Sequence, residues 1–118
     1  MGTVEKNERF PKEVRLRKQL EFKYLFKKGK KIYFRYFCIF YIKGSGRVGL
    51  VVGKKVSKNS ADRNLIKRRL RHIYRTNKEI FKNLDLVILA LPSSLKATYW
   101  ELLDDITQNV KKINDRDD

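Results

Sequence analysis

Residues 60–75, "SADRNLIKRRLRHIYR", constrain the chain more than any other stretch. Asn59, Ser60 and Asp62 supply helix-starting chemistry, and Ile66, Leu70 and Ile73 recur at helical spacing, so the segment reads as a long helix over about 61–78. On a helical wheel that starts at Ile66, Arg63, Lys67, Arg71, Asn64, Arg75 and Arg68 follow in that order around one continuous polar arc adjoining the buried stripe. One narrow stripe must be buried, and nearly everything beside it is cationic. Arg63, Lys67, Arg71 and Arg75 follow at intervals of four, where like charges repel by about 0.2–0.5 kcal/mol per pair. A solvated helix face ordinarily mixes signs, yet no acidic residue stands between Asp62 and Glu79. Such crowding is relieved when phosphates bind and counterions leave, and guanidinium forks match phosphate oxygens in pairs. The helix therefore points to a polyanionic partner.

The charge distribution agrees. Residues 1–78 carry 24 basic and 5 acidic side chains, a net of +19, whereas residues 79–118 carry 5 basic and 8 acidic, a net of −3. The cationic field belongs to the first two thirds and the rest reads as scaffold. The chain of 118 residues, 42% apolar, suits one domain with a modest core. Its single cysteine, Cys38, excludes an intrachain disulfide and fits a reducing compartment, so a cytoplasmic location is expected. The longest apolar runs, "YFCIFYI" (36–42) and "LVILAL" (86–91), are too short to span a bilayer. The opening "MGTVEKNERF" has no apolar run, so no signal peptide is expected.

Along the chain, residues 1–17 read as an irregular basic arm, flexible over at least 1–14. A short helix follows in "RKQLEFKYLFKKG", with Gly29 as its cap. "KKIYFRYFCIFYIK" (30–43) is one long strand or two with a bend. Tyr36, Cys38, Phe40 and Ile42 share one face; Phe37, Ile39 and Tyr41 share the other. "GSG" (44–46) reads as a turn into a second strand, 47–56, giving an antiparallel hairpin. "LDLVILALP" (84–92) reads as a buried strand stopped by Pro92. Thr98 and Glu101 form a capping box for a last helix that buries Leu102, Leu103, Ile106, Val110 and Ile113, with 114–118 fraying. The sum is α+β, helices packed on a small sheet.

Other chemistry finds little support. "GSGRVG" (44–49) fits a dinucleotide-binding pattern but opens a strand rather than a helix, so a turn is expected. One histidine, His72, and one cysteine cannot build a zinc set of the usual kind, and no nucleophile–His–acid arrangement suggests itself. Asp104 and Asp105 are adjacent on a helix, point apart, and read as surface residues. Phe22, Phe26, Tyr36 and Phe40 can line a shared groove. Each ring alone reads as core; together, among so many cations, they can also stack on unpaired bases, worth about 1–3 kcal/mol each. The residues alone thus leave open a subunit of a ribonucleoprotein enzyme, a non-catalytic RNA-binding protein such as a ribosome-associated factor, and a small self-sufficient nuclease.

The stretch "VGLVVGKKVSKNSADRNLIKRRLR" (48–71) resembles the bacterial ribonuclease P protein component family. That family carries a strand followed by a helix with an RN–KR–R spacing, met here by Arg63-Asn64, Lys67-Arg68 and Arg71. "RLRKQLEFKYLFKKG" (15–29), "RYFCIFYI" and "DLVILA" extend the likeness to about residues 9–113. Ser60, Leu65, His72 and Gly53 depart from it; Leu65 stands where Arg is common. The resemblance implies a two-layer α/β sandwich in the order αβββαβα. Its small, mostly antiparallel sheet would carry a left-handed βαβ crossover, as in a ribosomal protein's second domain. It also implies one protein joined to a catalytic RNA that removes the 5′ leader of precursor tRNA, with Mg²⁺ in the RNA–protein holoenzyme and none bound by the protein alone. Carried over by position, Arg63, Asn64, Lys67, Arg68, Arg71 and Arg75 would contact the catalytic RNA. Phe22, Phe26, Tyr36 and Phe40 would line a leader-binding cleft, and Arg15, Arg17, Lys54 and Lys55 would add phosphate contacts.

Overall fold

The computed structural model describes residues 19–116. Helix α1 (Gln19–Lys28) leads to strands β1 (Lys30–Tyr33), β2 (Phe37–Lys43) and β3 (Val48–Val51). Helices α2 (Ser60–Thr76) and α3 (Lys78–Phe81) precede strand β4 (Leu84–Ala90), a 3₁₀ turn over Pro92–Lys96 and helix α4 (Tyr99–Arg116). The order matches αβββαβα with one short helix added. The basic arm, with Arg15 and Arg17, lies outside the described residues.

The sheet order is β1-β2-β4-β3. The run 30–43 is two antiparallel strands, Ile32 opposite Ile39, joined at Phe34–Tyr36. The expected hairpin between β2 and the next strand does not form. β4 lies between them, antiparallel to β2 and parallel to β3. The reason is visible at Asp85, one of whose carboxylate oxygens accepts from the backbone N–H of both Ser45 and Arg47 at 3.0 Å. The Gly44 and Gly46 N–H groups donate to Asn83 and Leu84 carbonyls. The loop that has the composition of a hairpin turn is wound around the start of β4. Gly46 takes φ +93°, the left-handed region that favours glycine, and a Cβ on Gly44 would sit 2.2 Å from the Asp85 carboxyl carbon.

Alternation along β2 sorts the core as its sequence suggests. Phe37, Ile39 and Tyr41 join Leu86 and Ile88 beneath Ile66, Leu70 and Ile73 of α2 and Leu102, Ile106, Val110 and Ile113 of α4. Phe40 and Ile42 face the opposite way, with Val87 and Val51, beneath Phe22 and Leu25 of α1. Each large apolar side chain buried contributes about 1.5–3 kcal/mol, far more than the repulsion per cation pair along α2. The buried stripe therefore dictates the helix despite its charge. α1 ends at Gly29, which follows it without a left-handed turn; glycine is required because a Cβ would lie 2.6 Å from the Leu25 carbonyl oxygen.

Three further details differ from the sequence reading. β3 stops at Val51, and residues 52–56 form an exposed turn pinned by buried Val52 and Val56. α2 ends at Thr76 because Asn77 folds back, its side chain donating to the Ile73 carbonyl at 2.9 Å. The C-terminal segment expected to fray from 114 stays helical through Arg116, with the Asn114 side chain donating to the Ile80 carbonyl at 2.8 Å. The Thr98–Glu101 capping box forms in both directions: the Thr98 N–H donates to Glu101 at 2.8 Å and the Glu101 N–H to Thr98 Oγ1 at 3.1 Å.

Candidate nucleic-acid interface

The cations of α2 divide into bracing and open groups. Arg63 donates to the Ser57 carbonyl at 2.8 Å, fixing the turn that leads into the helix, while Ser57 Oγ donates to Asp62 at 2.9 Å. Arg69, on the other flank, donates to the Ala97 carbonyl at 3.1 Å and ties α2 to the approach of α4. Arg68 and Arg71 are exposed, Lys67 and Arg75 partly so, and Asn64 is exposed near the N-terminal end. Arg68, Arg71, His72 and Arg75 surround an open hollow of about 250 Å³. A Nη2 of Arg75 lies 2.6 Å from Nδ1 of His72. Cations gathered around an open hollow suit phosphate oxygens, because their mutual repulsion is already part of the free state. Lys54 and Lys55 occupy the exposed turn between Val52 and Val56, just before α2.

The opposite face of the sheet carries the aromatic group. Phe26 stands edge-on to Phe40 with ring centroids 4.9 Å apart, and Phe22 lies 6.4 Å from Phe26. Phe26 is 41% exposed, whereas Phe22 and Phe40 are half-buried against Leu25 and Val87. The Lys31 ammonium sits 5.5 Å from the Phe40 ring and 4.9 Å from that of Tyr33. The neighbouring Tyr33 hydroxyl pushes the Lys31 pKa up. Tyr33 and Lys31 belong to the same surface. Sequence reasoning misses them because the run 30–43 reads equally as one strand or as two with a bend, and only the break at Phe34–Tyr36 gives 30–33 an alternation of its own.

Tyr36 does not join these rings. It lies in the turn before β2, outside strand alternation, and is buried in the larger core on the other face. Its N–H donates to Asp105 at 2.9 Å, and its ring stacks under Arg35. Burial, above all, pushes its phenol pKa up. Asp105 is likewise no surface residue: it is 9% exposed and accepts from the N–H groups of Arg35 and Tyr36, fastening the β1–β2 turn to α4. Its place next to Leu102 on the wheel, at the edge of the buried stripe, is the available signal. Cys38 is buried, which raises its thiol pKa and leaves it a packing residue. Among the described residues, no three His, Cys, Asp or Glu side chains converge as a metal site needs, and no helix is long and apolar enough to cross a membrane.

Comparison with known proteins yields one consistent family. The family model described as Ribonuclease P matches residues 10–114. The chain is 40% identical over 94 residues to the ribonuclease P protein component of Finegoldia magna, covering 77% of this chain and 82% of that one. It is 42% identical over 84 residues to that of Citrifermentans bemidjiense, covering 69% and 72%. Among solved structures, the RNase P protein from Thermotoga maritima superposes with a TM-score of 0.74 at 29% identity, covering 83% of this chain and 96% of that one. An RNase P protein mutant from Staphylococcus aureus gives 0.77 at 26% identity, covering 88% and 90%.

Proposed function

The chain belongs to the ribonuclease P protein family, and on that premise we propose how its two faces divide the work of the enzyme. It is the protein subunit of an endoribonuclease holoenzyme that matures tRNA. In our reading, the open cations of α2, with Asn64, Lys54 and Lys55, hold phosphates of a folded, catalytic RNA. Arg63 contributes by stiffening the turn before the helix. The rings of Phe22, Phe26 and Phe40, with Lys31 and Tyr33 beside them, receive the unpaired 5′ leader of precursor tRNA. A folded RNA presents dense phosphate, which suits an Arg and Lys ridge; a single strand presents bases, which suit exposed rings.

Bond cleavage, with the Mg²⁺ it requires, falls to the RNA subunit, and no step here runs through an ion held by the protein. The chain binds, orients and neutralises. Neutralising phosphates lowers the cation concentration at which an RNA holds its fold and its substrate. One protein per RNA, acting in the cytoplasm, completes the proposal.

The observation that carries it is the hollow bordered by Arg68, Arg71 and Arg75 on a helix with no acidic residue after Asp62. Reconstitution with a ribonuclease P RNA and precursor tRNA tests it. The protein should lower the Mg²⁺ needed for leader removal and tighten substrate binding, and should not cleave alone. Robust cleavage by RNA-free protein, or no effect on the RNA's reaction, would overturn it.

A further inference from the structure

Trp100 is the chain's one tryptophan, and it is 72% exposed in the first turn of α4. A single exposed ring is unremarkable chemistry, but this one has company. It stands edge-on to Tyr99, centroids 5.2 Å apart, and Tyr99 lies 5.6 Å from the His72 ring. Tyr99 and His72 line an open hollow of about 410 Å³ with Leu65, Arg68 and Arg69, within the range of small-ligand pockets, about 300–1,000 Å³. Leu65 is 38% exposed. The common Arg of the resembling family would add charge here; Leu65 adds apolar lining instead.

Arg68 and His72 border both this hollow and the cationic one with Arg71 and Arg75. The aromatic surface is therefore continuous with the cationic face of α2. Arg69 is taken up by the Ala97 carbonyl, which leaves Arg68 as the cation of the shared wall. A second copy of the chain would bring another net charge of +16 against the first. An RNA brings the opposite sign together with flat apolar rings.

We propose that an unpaired nucleobase of the RNA held by α2 stacks on the exposed ring of Trp100, next to the Tyr99 that lines this hollow, with the adjoining phosphate on Arg68. This is a second base-binding site, on the opposite side of the sheet from the Phe26–Phe40 group. The inference rests on the RNA-binding reading of α2 and adds base contact to what is otherwise a phosphate grip.

The chain's sole tryptophan is its own reporter. Full-length protein is titrated with a ribonuclease P RNA and, separately, with inorganic polyphosphate, which has charge but no bases. Emission from Trp100 is read while filter retention follows RNA binding. RNA should quench Trp100 and polyphosphate should not. Trp100→Ala should weaken RNA binding at least about fivefold without changing the salt slope, since stacking releases no counterions. Trp100→Phe should restore most of the affinity, and thermal midpoints should stay level because the ring is exposed. RNA retained on the filter with Trp100 emission unaltered and Trp100→Ala at full affinity would overturn the inference alone. So would equal quenching by polyphosphate, or a Trp100→Ala defect confined to self-association. RNA that fails to bind would overturn the reading of α2 itself.

Discussion

Phe26 and Phe40 meet edge to face across the α1–β2 boundary, their centroids 4.9 Å apart and their planes at 89°. The pair joins an exposed ring to a half-buried one, so the same contact belongs both to the fold and to the surface. Phe40 packs against Phe26, whose ring stays 41% exposed.

The two rings should therefore respond differently to truncation. Phe26→Ala should reduce affinity for single-stranded RNA about fivefold or more, with a small fall in thermal midpoint. Phe40→Ala, which opens a gap against Leu25 and Val87, should lower both stability and binding, the former by about 2–4 kcal/mol. Thermal unfolding measured beside RNA binding checks this; equal destabilisation by both variants would make Phe26 a packing residue only.

The arginines of α2 should separate by role in the same way. Arg68→Ala and Arg71→Ala should each reduce the slope of log affinity against log salt by about 1. Arg69→Ala should leave the slope nearly unchanged and instead cost about 1 kcal/mol of stability, because its guanidinium holds the Ala97 carbonyl. Binding measured over a salt series, with denaturant unfolding of the same variants, decides it.

Glu101 gives the fold a pH signature. The Thr98 N–H donating to its carboxylate holds its pKa below the ordinary 4.5. A depressed carboxyl pKa contributes stability above the unfolded value and loses it as pH falls through the folded one. The gap in thermal midpoint between the parent chain and Glu101→Gln should be widest near neutrality and shrink below about pH 4.5. A gap independent of pH would mean that the capping box does not depend on charge.

Helix existence, the buried stripe of α2 and the face alternation of β2 were legible because each follows from periodicity in a single segment. Ile66, Leu70 and Ile73 could be assigned to the core without knowing their partners. What could not be read was pairing across the chain. The glycine-rich turn at 44–46 is compatible with a hairpin, and only Asp85, forty residues away from Ser45, diverts it around β4. Tyr36 departs from its expected face for a related reason: it sits one residue before the strand whose alternation the sequence suggests for it. Arg63 and Arg69 look like their neighbours in sequence, and only the carbonyls of Ser57 and Ala97 set them apart. The open arginines cluster along one helix, and Phe22, Phe26 and Phe40 meet on one face of the sheet, since surface charge and ring spacing are what local pattern records best.

The most direct measurement is a structure of the full chain bound to a ribonuclease P RNA. RNA phosphates should lie within hydrogen-bonding distance of Arg68 and Arg71, with α2 covered along the length of its cationic arc. An α2 left facing solvent while the RNA docks elsewhere would contradict the account at its centre.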